Sequence, residues 1–302
     1  MKKINVFFSN EEEKKQFVME CEHDFESRLC EVSAEAVKQC SKILLLSGPT
    51  CSGKSTLARK IISDFEKLGK RVLVISIDDF FKDRIEVREV MEGTKIDYDS
   101  VDVIDLPELE KCVHQAFYEK KMSVPIFDFI SQSRVGYNEY KVEDNDIIIF
   151  EGIQAVYPEV LRLFDGEKIV GIFTNVDYDI EINGIYFCRD DVRLARRLVR
   201  DYKFRGATPE FTLYLWDSVR ENEDKSIYPN KNVCKIQINS FMGYELFLLK
   251  CYILDILKEV NKDSKYYSKA KELMEKFERF QEISYEYVPE NSLYTEFLGK
   301  KK

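Results

Sequence analysis

Residues 43–56 read ILLLSGPTCSGKST, and this stretch decides how the rest of the chain is read. From Gly48 through Pro49, Thr50, Cys51, Ser52, Gly53, Lys54 and Ser55 to Thr56 it fits G-x-x-x-x-G-K-[ST], a loop that binds phosphate. The apolar residues before it make a buried strand. Gly48 and Gly53 let the backbone turn tightly, so that successive N–H groups face an anion. Lys54 then meets the β- and γ-phosphates, Ser55 offers a hydroxyl to Mg2+, and the helix from Thr56 onward points its positive end at the same charge. Cys51 is read as a small residue that fits the loop. The alternative is a redox role, because a thiol near a lysine and a helix start ionises more readily.

Downstream, residues 72–77 are β-branched and aliphatic and end in Asp78-Asp79-Phe80-Phe81. Strand, loop, helix and strand make a βαβ unit, which implies parallel strands and a doubly wound α/β fold. Ligands in such sheets sit at the carboxyl ends of the strands, so Asp78 is aimed at the site the loop begins. Residues 147–150 repeat the pattern, with Glu151 at the strand end, where an acidic residue orders a magnesium ion and its water. Further strands are expected over 123–127, 168–173 and 234–239, with an edge segment at 140–142. Between them lie the carboxylates Asp97, Asp99, Asp102 and Asp105, read as solvated or helix-capping, with one or two left free to bind a sugar.

Residues 190–203, DDVRLARRLVRDYK, place Arg193, Arg196, Arg197 and Arg200 at helical spacing. Arg193 and Arg196 are expected on a solvated face. Gly206 ends the element, so that 190–208 reads as a hinged lid whose Arg197, Arg200 and Arg205 neutralise charge during phosphoryl transfer. Before the first sheet strand, residues 1–41 suggest a short strand at 4–8, a helix capped by Ser9 or Asn10, and a second helix packing Phe25, Leu29, Val32 and Val37, with His23 at the junction. The division is 1–41 as a helical extension, 42–260 as the phosphate-loop domain, and 261–302 as a helix with a frayed tail.

The 302 residues carry a formal net charge of -9, which argues against a broad nucleic-acid surface. Eight cysteines without a C-x-x-C pair and two histidines give no zinc pattern. Neither a signal peptide nor a membrane-length apolar run is found, so the expectation is a soluble cytoplasmic protein with no membrane partner, possible as a homo-oligomer.

The motifs GPTCSGKST, SIDDFF, YDSVDVIDL, PIFDFISQSR, IIIFEGI and RLARRLVRDYKFRGATPE together resemble the uridine kinase and phosphoribulokinase family, in the family's order. Residues 215–250 are similar to a bacterial uridine kinase-like branch in which the phosphate-loop domain carries a helical extension. The resemblance implies a P-loop kinase fold, with ATP and Mg2+ as cofactors and a small-molecule substrate such as a nucleoside or another polyol. It gives Asp78 the role of catalytic carboxylate, Ser55, Asp78 and Glu151 the magnesium neighbourhood, and Asp99 the ribose hydroxyls. Arg197, Arg200 and Arg205 match lid arginines that contact ATP, and Phe127, Gln132 and Arg134 fall in the acceptor-binding segment. Phe127 stands where pyrimidine nucleoside kinases usually have a tyrosine, and Gln132 where they have a histidine. These substitutions change the hydrogen-bond inventory that sets the acceptor. Ala207 also replaces a basic residue common after the lid glycine. Arg200-Asp201, Arg205-Gly206, Thr208 and Glu210 follow the phosphoribulokinase spacing, which keeps that acceptor class open. A GTPase lacks support, since Asn230-Lys231-Asn232-Val233 has no guanine-reading aspartate. A nucleotide-binding regulator of faded activity is the rival from another class.

Overall fold

A computed structural model of the chain describes residues 1–40, 42–83, 99–129 and 131–301. The expected carboxylate Asp97 lies outside them. Parallel strands form a five-stranded sheet in the order β10-β7-β2-β6-β3. Its members are β2 (Ile43–Ser47), β3 (Val72–Ser76), β6 (Ile147–Glu151), β7 (Ile169–Asn175) and β10 (Ile236–Asn239). Strand β2 is central and wholly buried. Its Leu44 and Leu46 enter one hydrophobic cluster and Ile43 and Leu45 the other, so both faces of the sheet are covered. That is why the strand reads as an unbroken apolar run rather than an alternation.

Lys121–Asp128 (β4) and Ser133–Lys141 (β5) form a separate antiparallel hairpin with a register shift at Ile126/Phe127. The expected strand over 123–127 lies within β4, and the expected edge segment at 140–142 overlaps only the last residues of β5. A second small sheet pairs β1 (Lys2–Ile4), where the expected first strand at 4–8 falls earlier and shorter, in parallel with β8 (Ile180–Ile182), which turns back into β9 (Ile185–Phe187) in a hairpin that was not anticipated. Its signal was the dipeptide Asn183-Gly184, both residues at positive φ, between short apolar runs. Asn183 also accepts from Val6 N at 2.9 Å and donates to Val6 O at 2.8 Å, pinning the N-terminal segment.

The helices needed below are α1 (Glu11–Gln39), α2 (Lys54–Lys67), α3 (Leu106–His114), α4 (Arg189–Arg205), α5 (Pro209–Asn222), α6 (Glu245–Leu257), α7 (Tyr267–Glu278) and α8 (Thr295–Leu298). Two expected helices near the N-terminus are one continuous helix, so His23 is mid-helix rather than at a junction. Asn10 is its cap, accepting from Glu13 N at 3.0 Å. Phe25 and Leu29 of α1 and Phe277 of α7 share the cluster that holds Leu44 and Leu46. The tail is not frayed: Leu293, Tyr294 and Phe297 are fully buried, and the Tyr285 hydroxyl donates to Gly299 O. No described helix is long and apolar enough to cross a membrane.

Candidate active site

The register brings the loop and the acidic residues to one edge. Glu151 of β6 lies opposite Leu46 of β2 and Ser76 of β3, so it is flanked by the strand that enters the phosphate loop and the strand that delivers Asp78. Ser76 Oγ donates to Glu151 Oε1 at 3.2 Å. Burial pushes the Asp78 carboxyl up to about 6, and the nearby charge of Glu151 pushes the same way, with smaller contributions from Asp99 and Asp79; Lys54 pulls against them. These groups therefore feel one another directly, as a site for a polyanion and a cation requires.

The loop itself is fixed by shape. A Cβ on Gly48 would lie 2.1 Å from the backbone oxygen of Thr174, which leaves no room for any other residue. Cys51 and Gly53 have φ of 57° and 92°. Thr174 Oγ1 donates to Ser52 O at 2.8 Å and holds the turn from below. Gly53 caps α2 without a side chain, and the buried Ser52 Oγ has no hydrogen-bond partner among the described residues. Bare helix amides and an orphaned hydroxyl in a Gly-shaped cradle fit a phosphate group. Lys54 Nζ folds over the loop, donating to Gly48 O at 2.8 Å and Pro49 O at 3.2 Å, and Ser55 faces solvent.

The acceptor side differs in kind. Asp79 takes the backbone N–H of Phe127 and ties the hairpin to the end of β3. Phe127 packs edge-on against Phe81 and Phe129, at ring separations of 5.6 and 5.2 Å. Gln132 sits in the hairpin turn at φ 53°. Arg134 pairs with Asp105 at 2.8 Å, and its backbone N–H donates to Asp83 at 2.7 Å. Asp105 also caps α3, accepting from Glu108 N. The Asp99 backbone oxygen accepts from Tyr157, whose hydroxyl also accepts from Asn222.

The arginine helix overturns one expectation. Arg193 and Arg196 are not on a solvated face: both are 0% exposed. Arg193 forms a double hydrogen bond with Glu223 at 2.6 and 2.7 Å, and Arg196 one with Glu245 at 2.8 and 2.7 Å. Arg196 also donates to Cys51 O at 3.0 Å, so the pair braces the phosphate loop from behind. Arg197, Arg200 and Arg205 converge instead on Asp201, at 3.2, 2.7 and 3.6 Å. Arg200 also reaches Thr50 Oγ1 at 3.4 Å. No local spacing links Glu223 and Glu245 to the arginines, whereas Asp201 stands four residues from both Arg197 and Arg205, a helical ion-pair spacing that was legible and went unused.

Residues 43–245 match the family model described as the phosphoribulokinase / uridine kinase family, which is more than half of the chain. The chain belongs to that family. Among curated relatives, this family member is 31% identical over 196 residues to the uridine kinase of Lactobacillus helveticus, covering 64% of this chain and 84% of that one. It is 32% identical over 195 residues to the uridine kinase of Clostridium tetani, again covering 64% and 84%. In fold it resembles the solved YGR205w protein, with a TM-score of 0.51, 18% identity and coverage of 68% of this chain and 88% of that one. As a member of this kinase family, with uridine kinases among its relatives, it is an ATP-dependent kinase with a P-loop fold.

Proposed function

We propose that this kinase moves the γ-phosphoryl group of ATP to a hydroxyl of a nucleoside, uridine or cytidine first, with Asp78 as the group that receives the hydroxyl proton. The observation that carries this reading is the raised carboxyl of Asp78 beside Glu151 and Lys54, at the strand ends that flank the phosphate loop. A carboxylate that titrates at about 6 is ionised at neutral pH yet basic enough to take a proton in the transition state. The acceptor oxygen bonds to the γ-phosphorus, the bond from that phosphorus to the β-bridging oxygen breaks, and ADP leaves with the electron pair. Lys54, Arg197, Arg200 and Arg205 offset the charge on the phosphoryl oxygens. Ser55, Glu151 and Asp78 are the residues that would hold Mg2+, which when bound neutralises phosphate charge and orients the triphosphate. Asp99 serves the ribose hydroxyls.

The aromatic contacts of Phe127 and the Arg134–Asp105 ion pair support an uncharged acceptor over a phosphorylated sugar, which requires cations not already paired. The test is an ATP-consumption screen over uridine, cytidine, other nucleosides, ribulose 5-phosphate and pantothenate, run with Asp78→Asn alongside. Turnover on a pyrimidine nucleoside, lost in the variant while ATP binding persists, is the expected result. Turnover on ribulose 5-phosphate alone would assign the acceptor to the phosphoribulokinase side, and retained turnover in Asp78→Asn would remove that residue from the chemistry.

A further inference from the structure

The last helix returns to the phosphate loop. Leu293 reaches within 3.0 Å of where a Cβ on Gly53 would lie, and Ser240 Cβ lies 3.4 Å from the same point. The Phe297 ring lies 5.6 Å from the guanidinium of Arg196, which itself bonds the loop at Cys51 O. Between these two anchors, Glu296 Oε2 accepts from Thr56 Oγ1 at 3.4 Å, and Arg59 donates to the same hydroxyl at 3.0 Å. Burial raises the carboxyl of Glu296, while the attraction of Lys54, Arg200 and Arg196 works in the opposite direction. Thr56 is the residue that follows the loop Ser, at the amide end of α2 where an anion gains most.

We infer that Glu296 is a built-in competitor for the nucleotide's phosphates: its carboxylate accepts from Thr56 at the start of α2, within the field of the cations that serve the loop, and ATP must displace it. The inference rests on the phosphate-loop reading above. The aromatic anchors stay in the core while the side chain swings out, so displacement involves only the short α8 turn. Two negative groups sharing one set of cations repel, and the affinity for ATP is lowered accordingly. Glu296 is thus a positioning and affinity-setting residue. It takes no part in the phosphoryl transfer.

The experiment compares ATP binding by calorimetry in the full-length wild type, Glu296→Gln and Lys54→Ala, and follows hydrogen exchange of residues 292–299 in the wild type with and without ATP. Glu296→Gln keeps the acceptor for Thr56 and removes the charge. It should bind ATP about tenfold tighter, with KM for ATP falling and kcat nearly unchanged, and ATP should speed exchange at 292–299. Unchanged or weaker ATP binding in Glu296→Gln, or exchange at 292–299 that ATP leaves unchanged or slows, would overturn the inference while loss of binding in Lys54→Ala upholds the loop. Absence of ATP binding in the wild type, or equal binding in Lys54→Ala, would overturn the phosphate-loop reading and this inference with it.

Discussion

Asp78 is costly to its own fold. Its carboxyl is raised from the ordinary 3.8 to about 6 because burial and the Glu151 charge oppose ionisation. The folded protein therefore binds this proton more tightly than the unfolded chain does. The destabilisation is complete above pH about 6 and is relieved as pH falls toward about 4. Asp78→Asn should consequently be more stable than wild type at pH 7, by roughly 1–3 kcal/mol, and the gap should close by pH 4 in urea denaturation. Activity should move oppositely: kcat/KM should fall as pH drops through about 6, when the base becomes protonated. An inactive variant that is also less stable at pH 7 would show that the residue is structural. Gly48→Ala belongs at this scale too, since the Thr174 backbone oxygen that a Cβ would meet at 2.1 Å cannot give way. It should lower the melting temperature and abolish ATP binding.

The arginine helix α4 shows how a charged pattern misleads at the level of one element. Its arginines recur at helical spacing, but those of its body and the one at its C-terminal end have opposite fates. Arg193 and Arg196 point into the protein, while Arg205 is 61% exposed. Removing one partner of a buried ion pair leaves the other charge unsolvated, which costs about 3–5 kcal/mol. Glu245→Ala should therefore destabilise by that order in urea unfolding, with Arg196 left unpaired. Arg205→Ala, whose ion pair is largely solvated, should change stability by less than about 1 kcal/mol while lowering kcat if it meets the transferring phosphoryl group. The αL turn at Gly206, φ 62°, ends the helix as its position in the sequence suggested.

The whole molecule closes its chain ends onto one core. Ile283, Val288, Leu293, Tyr294 and Phe297 belong to the same cluster as Leu44, Leu46 and Phe25. Each such side chain contributes about 1.5–3 kcal/mol on burial, so their joint loss is comparable with the roughly 5–15 kcal/mol that keeps a domain folded. A chain ending at Gln281 should therefore lack a cooperative thermal transition, measured by circular dichroism. A frayed tail, as the run of lysines at the end suggests, would leave the transition unchanged on the same deletion.

The sheet strands, the loop cradle, and Asp78 and Glu151 at the strand ends were legible because each depends on a local pattern: an apolar run, a glycine spacing, a carboxylate directly after a strand. The Asn183-Gly184 hairpin was legible in the same way and was overlooked. By itself the chain determined the family, the parallel sheet and the phosphate loop, since backbone geometry and strand burial are written over a few consecutive residues. Only the tertiary structure decided which arginines are braces, that Glu245 and Glu223 hold them, and that Glu296 returns to Thr56. Those pairings join residues 49, 30 and 240 positions apart, and whether a charge at such a distance meets a partner or water depends on how the elements pack.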